Sequence, residues 1–207
     1  MTTPDAAAQA ARIAVLEAAL KLADLGFLAG VGGNLALRID DTRLAVTPSA
    51  TDYYTMTPED VCVLAFRNLR VLHGTKAPSV ESGLHARALA RRPDCMASVH
   101  THQPVASAFT LLGITLPITD PELRPVIGPD IPVAGYAPSG TGWLAGNVAR
   151  LVRPDRQAYL MRNHGVVCLG RTLAAATDVV LAVERAATSW FEHHGTRVTP
   201  SFAASPA

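Results

Sequence analysis

The sequence predicts a layered α/β domain, and three observations carry that reading. Segments with helical spacing of apolar residues alternate along the chain with short apolar runs of strand length. The 207 residues are 49% hydrophobic and 17% charged, which is enough apolar material for one sizeable core and too much for a disordered chain. No internal repeat or low-complexity linker divides the sequence. One domain over residues 1–207 is therefore expected, with a core at about 10–194 and a loose C-terminal tail over 195–207.

Taken in order, residues 6–29 read as an amphipathic helix, with Ile13, Leu16, Leu20 and Ala23 at helical spacing and charges between them. The glycines at 30, 32 and 33 end it and lead into Asn34. Segments 34–39 and 43–47 form a hairpin across Asp40-Asp41. Thr57-Pro58-Glu59-Asp60 resembles a short helical start with Thr57 as cap. A second hairpin spans 61–65 and 69–72, turning at Arg67-Asn68. Pro78-Ser79-Val80-Glu81 opens a helix to about Arg91, with Ser79 as its cap and Pro93-Asp94 beyond its end. A strand at 95–101 and a helix at 103–112 follow, and 113–138 is Pro-rich and irregular. A helix at 139–152, strands at 157–162 and 166–169 around Asn163-His164-Gly165, and a last helix at 172–194 capped by Thr172 complete the pattern.

Charge excludes some functions. Eighteen Lys+Arg against 17 Asp+Glu leave +1, whereas nucleic-acid and anionic-membrane surfaces require a basic excess. Cys62, Cys95 and Cys168 are odd in number and far apart, with no CxxC pair, so a disulfide framework is not indicated and a reducing cytoplasm is expected. Asp5 precedes any basic residue and charges interrupt the first apolar stretch, unlike a secretion signal, and no transmembrane run is present.

The chemistry concentrates at His100-Thr101-His102. Residues two apart on a strand face the same way, so both imidazoles can reach one metal ion, although two surface histidines would give the same pattern. His164 stands at a strand end beside a glycine, where α/β sheets display functional groups. Glu81 lies at a helix start, where the helix dipole favours a carboxylate. Together three histidines and one carboxylate make a closed ligand set for Zn²⁺ at about 2.0–2.2 Å, and a catalytic zinc opens a position when substrate displaces the carboxylate. His85, four residues after Glu81, is expected to pack or hydrogen-bond rather than ligate. His73 beside a turn glycine and His193-His194 at a helix end have ordinary structural readings.

The ordered motifs Gly33-Asn34, Thr47-Pro48-Ser49, Thr57-Pro58-Glu59-Asp60, Pro78-Ser79-Val80-Glu81 with Leu84-His85, Arg92-Pro93-Asp94, Val99-His100-Thr101-His102 and Asn163-His164-Gly165 give the chain a specific resemblance. Over about residues 10–194 it resembles the class II aldolase/adducin family, whose namesake enzyme is L-fuculose-1-phosphate aldolase. The resemblance implies a three-layer α/β/α sandwich around a central, mainly antiparallel sheet. It also implies a homotetramer with active sites between subunits. By the same resemblance His100, His102 and His164 match the zinc ligands. Glu81 matches the acidic residue that binds zinc at rest and moves the proton, its pKa raised toward neutrality by burial. Gly33, Asn34, Ser49, Ala50, Ser79 and Val80 match the phosphate pocket.

The implied function is a zinc-dependent lyase that reversibly cleaves a small hydroxy-ketone, a sugar phosphate or a relative, through a metal-stabilised enediolate. A same-site decarboxylase, dehydratase or epimerase is the alternative, and a non-catalytic adducin-like module is a further one. Zinc, cobalt, manganese and iron all suit the ligand types. Two departures shape the substrate. Ala50 replaces the usual glycine and Val80 a second serine, which favours a carboxylate or smaller anion. The fuculose-type aldolase this chain resembles carries a proton-donating tyrosine a few residues after the match to Leu116-Pro117 and another in its C-terminal tail; here Pro121 stands near the first position and no tyrosine follows Tyr159, leaving Tyr136 as the substitute.

Overall fold

The fold is taken from a computed structural model that defines residues 5–28, 30 and 32–194; the expected loose tail over 195–207 lies outside the described residues. Helix α1 (Ala6–Asp24) is capped by Asp5, whose carboxylate accepts from the Ala8 N–H at 2.9 Å. It ends five residues before the expected 29. Gly26, at φ 74°, terminates it: its N–H donates to the Ala23 carbonyl and that of Phe27 to Leu22. This is a Schellman ending, which needs a left-handed residue just past the helix, so the earlier glycine stops the chain first.

Strands β1 (Asn34–Arg38) and β2 (Arg43–Val46) form the expected hairpin, and β3 (Cys62–Ala65) and β4 (Val71–His73) form the second. Between the hairpins the expected helical start at Thr57 is instead a closed turn. Asp60 Oδ2 accepts from both the N–H and the hydroxyl of Thr57, so Thr57 donates to the turn and caps no helix. Helix α2 (Ser82–Arg91) starts later than expected. Ser79 accepts from the Glu81 N–H in the preceding turn, and Glu81 takes the cap position without a side-chain cap bond.

Strand β5 (Ala97–Thr101) leads to α3 (Pro104–Phe109), whose last turn continues as a 3₁₀ turn over Thr110–Leu112. The irregular stretch holds β6 (Leu116–Pro117), one helical turn α4 (Arg124–Ile127), β7 (Asp130–Ile131) and β8 (Val133–Ala134). Helix α5 (Gly142–Leu151) is capped by Thr141, then β9 (Ala158–Met161) and β10 (Val166–Gly170) form a hairpin, and α6 (Leu173–His194) closes the described chain. The Thr172 hydroxyl accepts from the Ala175 N–H at 3.0 Å, as its cap position requires.

Eight strands make one sheet in the order β4-β3-β2-β1-β5-β10-β9-β8, antiparallel except for the parallel pair β8–β9. Alternate residues feed two cores. Leu35, Ala97, Val99, Val166 and Cys168 pack under α1, α3 and α6, whereas Ala36, Tyr159, Met161, Val167 and Leu169 pack under α2 and α5. Two cores on opposite faces of one sheet give the three layers. This alternation also decides where the chemistry lies. With Ala97 and Val99 on the α1/α6 face, Ser98 and His100 project toward α2, and β5 occupies the sheet centre between β1 and β10. Among the described residues no helix is long and apolar enough to cross a membrane, and all three cysteines are free and buried.

Candidate metal centre and its cavity

Three separate elements meet at one end of the sheet. His100 is the penultimate residue of β5, and His102 lies just past its end on the same side. His164 sits in the tight turn joining β9 to β10, where the Met161 N–H donates to the Gly165 carbonyl and Asn163 takes φ 56°. Asn tolerates that left-handed backbone better than most residues, and it aims the next side chain back over the sheet. Glu81 comes from the start of α2; spending its carboxylate here is why α2 lacks a side-chain cap.

The geometry is tight. One nitrogen from each of His100, His102 and His164 lies within 4.8 Å of the other two. Glu81 Oε2 is 3.2 Å from His100 Nε2, and Oε1 is 3.6 Å from His164 Nε2. His102 Nε2 is 3.0 Å from His100 Nε2. Glu81 is also gripped at both oxygens: Asn34 Nδ2 donates to Oε2 and Ser139 Oγ to Oε1, each at 2.9 Å.

The hydrogen bonding shows that these residues suit a cation. His100 Nδ1 lies 2.9 Å from the Val166 carbonyl, which only accepts, so Nδ1 carries the hydrogen. Burial holds this imidazole neutral by pushing its pKa down, and its Nε2 is therefore bare. A bare nitrogen facing a carboxylate oxygen at 3.2 Å is repulsive unless a positive charge sits between them. Three imidazoles and a carboxylate converging in this way are the donors a divalent metal takes.

The expectation of a Glu81 carboxyl raised toward neutrality is corrected. Burial does push it up, but the hydrogen bonds that Asn34 and Ser139 donate to its two oxygens act against burial, and the carboxyl is held below the ordinary carboxylate range. It is an ionised group ready to accept a proton.

These groups also set an acid sensitivity. Burial pushes His85 down to about 4 and lowers His100 and His102 as well. The unfolded chain takes up these protons near pH 6.5 while the folded protein does not. Stability is therefore lost as pH falls from 6.5 toward about 4, by about 1.4 kcal/mol per pH unit for one such imidazole. Glu81, held low, adds loss of the same sign below the unfolded carboxyl value. The chelator-treated protein is expected to melt at least about 4 °C lower at pH 5 than at pH 7.5, measured by circular dichroism. A flat or rising melting temperature would contradict this.

The six residues matched to an anion pocket, Gly33, Asn34, Ser49, Ala50, Ser79 and Val80, line one cavity of about 150 Å³ together with Glu81, His102, His164 and Ser139. Asn34 stands differently from the rest, because its amide is spent between Glu81 and His85. Ala50 adopts φ 48°, the left-handed backbone that favours glycine, so the loop keeps the shape a glycine would take. Val80 is 66% exposed at the rim. Tyr136 is 58% exposed and is not among the residues lining the cavity. His85 is buried and hydrogen-bonded rather than directed at the centre, as its helical position suggested. His73 lies on β4, and His194 stacks on Trp190 at the end of α6.

Sequence reasoning missed Ser139 and Ser98. Ser139 is 58 residues from Glu81, and nothing in its Pro-Ser-Gly setting marks it beyond a helix start. Ser98 did carry a signal, since it precedes His100 by two on the same face.

The family described as the Class II Aldolase and Adducin N-terminal domain matches residues 13–191. A 5-methylthioribulose-1-phosphate/5-deoxyribulose-1-phosphate aldolase of Rhodospirillum rubrum is 33% identical over 182 residues, covering 88% of this chain and 80% of the relative. An L-fuculose phosphate aldolase of Escherichia coli is 31% identical over 170 residues, covering 82% and 77%. Among solved structures, an L-fuculose 1-phosphate aldolase superposes with a TM-score of 0.85 at 29% identity, covering 93% of this chain and 91% of the other.

Proposed function

This chain belongs to the class II aldolase and adducin family, and from that premise we propose that it is a zinc-dependent lyase cleaving a short ketose 1-phosphate between C3 and C4. The observation that carries the reading is the convergence of His100, His102, His164 and Glu81 at one end of the sheet, beside a cavity with anion-binding character. The histidines hold the ion. When bound, zinc supplies Lewis-acid charge beside the substrate carbonyl. Glu81, ionised and held by Asn34 and Ser139, exchanges the proton at the carbon that the broken bond leaves behind.

The anion pocket fits the phosphate end. Among the described residues no acceptor takes the N–H of Ala50 or Val80, both of which border the cavity, which leaves these donors for an anion. Val80 favours a second reading, because it offers a methyl surface where a hydroxyl would hold phosphate; a carboxylate substrate turned over by decarboxylation, dehydration or epimerisation would suit it. A homotetramer with sites between subunits is supported by the large aromatic side chains of Trp143 and Tyr136, which are 63% and 58% exposed in the single chain. The unbridged, buried cysteines support a reducing compartment.

The test is direct. Zinc-loaded protein is expected to release dihydroxyacetone phosphate from 5-deoxyribulose 1-phosphate or L-fuculose 1-phosphate, with activity abolished by chelator and restored by Zn²⁺. No cleavage of any ketose phosphate, together with turnover of a sugar-derived keto acid, would transfer the assignment to the second reading.

A further inference from the structure

We propose that His85 and Ser98 are positioning residues for Glu81, acting through Asn34 as a one-way chain of hydrogen bonds. The inference deepens the proposed reaction and rests on Glu81 being its proton-transfer group.

The direction of the chain follows from what each group can do. An ionised carboxylate only accepts, so the 2.9 Å contact to Glu81 Oε2 comes from the Asn34 NH₂ group. The Asn34 oxygen then faces His85 Nε2 at 2.6 Å, and because that oxygen only accepts, Nε2 carries the hydrogen. A neutral imidazole protonated there has a bare Nδ1, which accepts the Ser98 hydroxyl at 2.7 Å. Ser98 therefore donates to His85, His85 to Asn34, and Asn34 to Glu81.

Every member is buried: His85 and Ser98 at 0% exposure, Glu81 at 4% and Asn34 at 7%. The chain spans α2, β1 and β5, so it ties the carboxylate to the middle of the sheet. Both ring nitrogens of His85 are spent, which leaves it no part in metal binding.

The weak point is the Asn34 amide. Its two ends are nearly the same shape, and it is held from both sides: Glu81 accepts from its NH₂ end and the His85 donor secures its oxygen, so loss of His85 leaves the amide with half of its restraint. Turned over, it would present its oxygen to Glu81 and set two acceptors face to face. The carboxylate would then leave its seat between the amide, the Ser139 hydroxyl and the histidines. Here an asparagine already lining the anion pocket has the separate task of aiming the base.

The test compares two variants. His85→Leu removes both bonds, whereas His85→Gln keeps an N–H near the position of Nε2 and loses only the link to Ser98. With metal content held at one ion per chain, His85→Leu is expected to lower kcat about 10- to 100-fold with little change in KM, and His85→Gln to recover most of it. Equal impairment of two folded variants would show that His85 only fills space, and an unimpaired His85→Leu would also overturn the proposal. A readout independent of turnover is the ¹⁵N imidazole spectrum of the wild-type protein, in which His85 is expected as the Nε2–H tautomer; the Nδ1–H tautomer would overturn the chain's direction. Wild-type protein that cleaves no ketose phosphate, yet shows the Nε2–H tautomer, would overturn the proposed reaction and leave the hydrogen-bond chain standing.

Discussion

Glu81→Gln is expected to keep its metal and lose turnover by about a thousandfold, within the range general acid–base groups contribute. The substitution preserves shape and removes charge. Of the contacts to this side chain, one oxygen still accepts, from either Asn34 or Ser139, while the new NH₂ group must face the other donor or the bare His100 nitrogen. The three imidazoles are untouched and still lie within 4.8 Å of one another, so metal content measured by plasma mass spectrometry should stay close to one per chain. What disappears is the only carboxylate in contact with the histidines among the described residues, and with it the means of moving a proton. An active Glu81→Gln enzyme would remove Glu81 from the chemistry.

The second large effect is expected at a residue with no functional group. A methyl at Gly165 would meet the Thr101 carbonyl oxygen, His102 Cδ2 at 2.7 Å and His100 Cε1 at 3.0 Å. Two of these atoms belong to the proposed ligands themselves. Gly165 has no unusual backbone angle, so the cost is purely steric, about 1–3 kcal/mol of overpacking. Ring rotation relieves only the two imidazole contacts; the Thr101 carbonyl is backbone, so the turn and the end of β5 must also move apart, and both movements misplace the nitrogens. Gly165→Ala should therefore weaken metal affinity about 10- to 100-fold in a competition titration with a chromogenic chelator. Gly170→Ala provides the contrast at the other end of β10. Its methyl would strike the backbone of Ala176 and Thr172, far from the histidines. It should lower the melting temperature and leave metal affinity alone. If Gly165→Ala bound metal like the parent protein, the close packing of that turn against the rings would not matter to the site.

Much of this site was legible because its signals are local. His100 and His102 share a face by strand alternation, and Asn163-Gly165 marks the turn that presents His164. The start of α2 put Glu81 where a carboxylate is comfortable, the donor types suggested it as the fourth, displaceable ligand, and the family likeness matched it to the resting ligand and proton-transfer base. The end of α1 was misjudged because two glycine signals compete and the nearer, Gly26, satisfies the helix carbonyls first. Thr57 was misread because a threonine followed by a proline looks like a helix cap until Asp60 folds back on it. Contacts between distant segments stayed hidden. Ser139 meets Glu81 across 58 residues and Asn34 meets His85 across 51, and no short-range pattern encodes either pairing. The insertion of β5 between β1 and β10 was equally unreadable, yet it delivers His100 to the centre of the sheet.

That central placement reaches beyond the reaction. Glu81, His100 and His164 belong to three stretches of backbone, one helical, one in mid-sheet and one at a hairpin tip. Any ion they grip in common acts as a removable cross-link, closing long loops that thermal motion would otherwise open. At a thousandfold excess over its dissociation constant such a ligand deepens the native well by about 4 kcal/mol. With such an ion bound, the durability of this scaffold would be partly on loan from its surroundings, rising and falling with the supply of free ions.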